Sequence, residues 1–128
     1  TPLYSSAASD VYKRQTLLGI LKIGAAVVTV VTGLVSFVRP RSVQGFTGLA
    51  APGPRGVTEI RAVLGGAFIA LGAVPLITRS PEAFRMLGAV YLVIGATRIV
   101  GMIVDRSFER SNWISLAVEI VFGLVLIA

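Results

Sequence analysis

The sequence predicts an all-α fold: an integral membrane, antiparallel four-helix bundle. Three observations carry this. Of 128 residues, 55 % are hydrophobic and the mean hydropathy is +0.85, more apolar side chains than a domain of this size can hide in one interior. Four apolar stretches of near-bilayer length alternate with charged or Gly/Pro-rich connections, and a hydrocarbon core about 30 Å thick takes about 20 helical residues to cross. None of the four alternates apolar and polar residues as a half-buried strand does.

Residues 1–15 are polar, and the composition changes abruptly at Thr16. Asp10 to Gln15 reads as the in-frame translation of a transposon end used in building DNA libraries. The segment is expected to be a non-native tail, set aside from fold reasoning as an expression tag would be. On this reading Lys13 and Arg14 have no bearing on topology, the native N-terminus is missing, and residues 16–128 form the transmembrane domain.

The first span is expected over 16–38. Its one charge, Lys22, sits about 9 Å into the helix and can reach the interface with its stem. Arg39-Pro40-Arg41 closes it, and Gly45, Gly48, Pro52, Gly53, Pro54 and Gly56 mark residues 42–56 as a loop. The second span is expected over 57–77, with Thr58 as N-cap and Pro75 bending or stopping its last turn. Arg79-Ser80 forms a tight link, and Pro81-Glu82 suits a helix start. The third span is expected over 83–104 and the fourth over 113–128, with Trp113 as an interfacial anchor. At about 24 Å the fourth is short for a full crossing, so the chain is expected to be a fragment at this end too.

Loops one–two and three–four carry Arg39, Arg41, Arg55, Arg106 and Arg110, whereas the opposite side carries Arg79 and Arg85. The positive-inside rule places the first group in the cytoplasm. The net charge of +6 fits loops facing anionic lipid. No basic run or interleaved stacking aromatics point to nucleic acid.

Charges at membrane depth cost about 2.5–3.5 kcal/mol each on insertion scales, so they pair or line polar cavities. Arg98 and Glu119 each lie about 10 Å from the loop joining spans three and four; in an antiparallel hairpin they come level and are expected to pair. Glu59, Arg61 and Asp105 enter from the same side, giving an expected network of Glu59, Arg61, Arg98, Asp105 and Glu119. Four stripes are expected to face inward: Glu59 with Ala62, Gly66, Ala70 and Ala73; Arg98 with Tyr91, Gly95 and Asp105; Glu119 with Asn112 and Ser115; and Lys22 with Thr29, Thr32, Gly33 and Ser36. Tyr91, Gly66, Gly95 and Ser115 are the candidate lining residues. There is no Cys and no His, which removes disulfides and the usual zinc, haem and iron–sulfur ligands. No nucleophile–base pair, metal spacing or phosphate loop occurs, so no catalytic or metal residue is assigned and no cofactor is expected.

The residues Glu59-Ile60-Arg61-Ala62-Val63-Leu64-Gly65-Gly66, then Arg98-Ile99-Val100-Gly101 with Asp105, and Glu119 in the last span, resemble a bacterial domain-of-unknown-function family, number 4345, of small four-helix membrane proteins. The resemblance covers residues 16–128 and includes the spacing between motifs. Leu64 stands where that family more often has an aromatic ring, so no role for such a ring is carried over. The family is similar to the DoxX-like group, some of which are membrane subunits linked to quinone-dependent sulfur oxidation. By analogy this implies a quinone or a membrane redox partner, at the bacterial inner membrane.

The leading expectation is a non-enzymatic multi-pass protein with a structural or interaction role set by its intramembrane Glu/Arg network. The bilayer is its environment, and homo-oligomerisation is an expected mode of assembly. The alternatives are an accessory subunit binding a quinone or another lipophile, and a small transporter.

Overall fold

A computed structural model describes residues 2–128 and holds five α-helices, with no strand among the described residues. They are α1 (Pro2–Val38), the one-turn α2 (Val43–Thr47), α3 (Pro54–Thr78), α4 (Pro81–Asp105) and α5 (Arg110–Ile127). Four of these are long and apolar enough to cross a membrane. Only 22–28 % of the most apolar window in each is buried within the fold. Val93, Val100, Ile103, Val121 and Leu124 all point outward. A helix apolar on its outer face suits an apolar solvent, as helices able to span a membrane require.

Helix ends depart from the sequence reading in identifiable ways. Helix α1 begins well before residue 16, because no Gly or Pro interrupts residues 3–15; Ser5 to Gln15 are exposed throughout. Residues 42–56 are not all loop. A 3-10 turn, Pro40–Ser42, leads into α2, which fully buries Val43. Helix α3 starts four residues before Thr58, with Gly53 as N-cap and Pro54 at N1; the Thr58 hydroxyl instead donates back to the Pro54 carbonyl at 3.2 Å. Pro75 does not stop α3, which runs on to Thr78. Arg79 and Arg106 close α3 and α4 in the left-handed conformation (φ 54° and 53°), their N–H groups bonded to Pro75 and Met102 carbonyls.

Within α3, Ile60–Ala67 winds as a π-helix. The wider turn lets Ile60 and Gly65, five residues apart, both face inward. It also breaks the 3.6-residue phase between the two halves of the helix. Glu59, Ala62, Gly66 and Ala70 are exposed rather than inward, and Ile60, Gly65, Gly72 and Pro75 form the buried face instead.

The molecule is built as two antiparallel hairpins. In the first, α1 packs along α3 at close range: a Cβ on Gly72 would stand 2.5 Å from the Ala26 carbonyl oxygen. In the second, α4 packs along α5, where a Cβ on Gly123 would stand 2.5 Å from Leu92. Small residues at these points let backbones approach and gain dispersion energy, which drives helix association where lipid removes any hydrophobic incentive. The hairpins meet through a smaller core of Ala25, Ala26, Phe84, Leu87, Tyr91 and Leu126. Toward the end carrying α2, they part.

Candidate functional site

Where the hairpins part, a cleft of about 570 Å³ opens between α1, α3, α4 and α5. Val28, Leu64, Phe68, Ile94, Val118 and Phe122 give it apolar walls, and Phe46 and Thr47 of α2 line its end. Its polar groups are Thr32, Ser36, Tyr91, Arg98, Ser111, Ser115 and Glu119. A mostly apolar concavity with a few convergent polar groups is the usual form of a small-molecule site.

One wall carries an ion pair at helix depth. Arg98 on α4 and Glu119 on α5 approach to 2.6 Å (Nη2 to Oε1), and Arg98 Nε donates to both carboxylate oxygens at 2.9 Å. The Glu119 side chain is 8 % exposed and that of Arg98 30 %, so the carboxylate is buried and the guanidinium faces the cleft. Gly95 makes room for this: a Cβ there would lie 3.6 Å from Glu119 Cβ, so a larger side chain would crowd the carboxylate. Arg98 Nη1 also donates to Asn112 Oδ1 at 3.0 Å, and Asn112 Nδ2 donates to the Ser107 carbonyl at 3.0 Å and hydroxyl at 2.6 Å. The pair is thereby tied to the turn joining α4 and α5. Among the described residues, no buried side-chain N or O atom lacks a partner, as charges held away from water require.

At the deeper end, the Tyr91 hydroxyl meets that of Thr29 at 2.5 Å. Thr29 donates to the Ala25 carbonyl at 2.8 Å, so Tyr91 is the donor between them. The Tyr91 ring stands edge-on to Phe122, centroids 5.4 Å apart.

Of the five charges expected to form one network, the structure brings together Arg98 and Glu119. Asp105 is exposed and lines a small side cleft with Arg98 and Asn112, but Asn112 takes the bonding position. Glu59 pairs with Arg55 at 3.5 Å on the outer surface. Arg61 donates to the Phe37 carbonyl and lies over the Phe37 ring at 5.9 Å. It closes the end of α1 instead of joining Arg98. Neither lines the cleft. Of the lining candidates, Tyr91 and Ser115 face the cleft and Gly95 backs the ion pair. Gly66 points outward with nothing within 4 Å of a Cβ.

Sequence reasoning left Leu64, Phe68, Phe46 and Thr47 unassigned. Leu64 and Phe68 lie in and beyond the π turn, where helical phase misleads. Phe46 and Thr47 sit in a Gly-punctuated segment that reads as loop. Asn112, expected inward on one stripe with Glu119, does reach Arg98. No cluster of three or more carboxylates, His or Cys that could hold a metal occurs among the described residues.

The family model described as "Domain of unknown function (DUF4345)" matches residues 17–128. No curated protein and no solved structure matches the chain.

Proposed function

We propose, for a chain that belongs to the DUF4345 family of unknown-function domains, that it is a non-enzymatic multi-pass membrane protein that holds a lipophilic small molecule between its two hairpins. The observation that carries this is the 570 Å³ cleft with the Arg98–Glu119 pair on its wall. Two hairpins joined by a small core leave space at bilayer depth, and a polar group in that space has something to bind. The apolar walls suit a chain or ring, while Arg98, Ser111 and Ser115 suit a polar head. By the distribution of arginines the cleft opens toward the cytoplasmic leaflet of a bacterial inner membrane, and a quinone is one lipophile of this kind. The test is extraction in mild detergent followed by native mass spectrometry. A lipophile retained by the wild type and lost on Ile94→Trp, which fills the cleft, supports the reading. A wild type that folds and carries nothing, even after incubation with a short-chain ubiquinone, contradicts it.

A second reading is favoured by the closure of the hydrogen-bond network. Glu119 accepts three bonds from Arg98, and Asn112 satisfies the turn, as a purely structural clamp would. If Arg98→Ala lowers thermal stability and leaves lipophile retention unchanged, the clamp is the whole role.

A further inference from the structure

We infer that the cleft selects a neutral head group that accepts hydrogen bonds, such as a ketone, ester or quinone carbonyl, over an anionic one; this rests on the binding reading above. The guanidinium has five N–H donors. Nε–H is spent on the two Glu119 oxygens, one hydrogen of Nη2 on Glu119 Oε1 and one of Nη1 on Asn112 Oδ1. One N–H on each of Nη1 and Nη2 has no protein partner among the described residues. Arg98 borders the main cleft and the two smaller ones beside it, so it can offer these hydrogens to a guest.

Charge decides what kind of guest. An arginine alone in an apolar cleft would draw a carboxylate, sulfonate or phosphate. Here Glu119 already supplies the negative charge at 2.6 Å. A second anion would gain little net attraction from a neutralised pair, would be repelled by the buried carboxylate, and would give up its hydration. Among the described residues, no other cation lines the main cleft. A carbonyl oxygen meets neither penalty, and it still receives charge-assisted hydrogen bonds from the free N–H groups. Ser111 and Ser115 beside Arg98 can donate as well.

The experiment compares two probes of equal chain length, 2-decanone and decane-1-sulfonate. They are titrated calorimetrically into the full chain in phosphatidylcholine nanodiscs, with protein-free discs subtracted. The wild type is expected to bind the ketone about tenfold more tightly than the sulfonate, the scale of one charge-assisted hydrogen bond set against an uncompensated charge. Glu119→Gln removes the neutralising charge while keeping the shape, and the preference is expected to invert. Should that variant fail to fold, the wild-type ratio alone decides. A wild type that binds the sulfonate as tightly as the ketone, or more tightly, overturns the neutral-head assignment and leaves cleft binding intact. Saturable binding of neither probe overturns both.

Discussion

The hydroxyl of Tyr91 on α4 donates to that of Thr29 on α1 across 2.5 Å, fastening one hairpin to the other at the point where the cleft begins. Both residues are buried, at 8 % and 1 % exposure; the Tyr91 hydroxyl finds its partner in Thr29, which also donates to the Ala25 carbonyl. Tyr91→Phe keeps the ring against Phe122 and is expected to cost about 1 kcal/mol. Thr29→Val is expected to cost a similar amount, and the double variant less than the sum of the two. Thermal unfolding in detergent checks this; strictly additive losses would mean that the hydroxyls do not interact.

Close backbone approach makes a second prediction. Gly72→Ala places a methyl group 2.5 Å from the Ala26 carbonyl oxygen and 2.9 Å from the Val30 nitrogen. Backbone atoms cannot step aside singly, so α1 and α3 must separate, at a cost of about 1–3 kcal/mol. Gly66→Ala meets open space and is expected to be neutral or stabilising by about 0.5–1 kcal/mol, from the lower helix propensity of glycine. The melting temperature should fall for Gly72→Ala and stay level or rise for Gly66→Ala. Equal losses would contradict the outward placement of Gly66.

Glu59 and Arg61 stand two residues apart and should behave differently. Arg61 donates to the Phe37 carbonyl at the end of α1 and covers the Phe37 ring. Arg61→Ala is expected to cost about 1–2 kcal/mol. Glu59 makes a single exposed pair with Arg55, and Glu59→Gln is expected to stay within about 0.5 kcal/mol of the wild type. A large loss for Glu59→Gln would instead draw that carboxylate into the central network.

The four spans were legible in the sequence because lipid demands unbroken apolar length, a signal that survives any detail of packing. The meeting of Arg98 and Glu119 was legible for a related reason. Both are counted from one short turn along regular α-helix, where 1.5 Å per residue holds. The stripe through Glu59 and Gly66 lies outward as a whole: Glu59, Ala62, Gly66 and Ala70 are exposed before, within and after the wider turn of Ile60–Ala67, and a run of small residues does not by itself say which face of a helix packs. Helix α2 was hidden by Gly45 and Gly48, which read as loop. Gly48 ends that helix with φ 73° and Gly45 sits inside it, while the burial of Val43 that holds it in place is a tertiary fact. The cleft itself was not legible. It arises from how far apart two hairpins stand, and no local pattern encodes a distance between elements.

The charge swap at Arg98 and Glu119 tests the central claim most directly, that these two groups neutralise each other inside the bundle on the wall of the cleft. Arg98→Glu and Glu119→Arg are each expected to lower stability by about 3 kcal/mol, the low end for breaking a buried pair because Arg98 remains partly open. The double swap restores opposite charges and is expected to recover at least half of that loss in a detergent melt. A double swap as unstable as the sum of its parts would contradict the pairing.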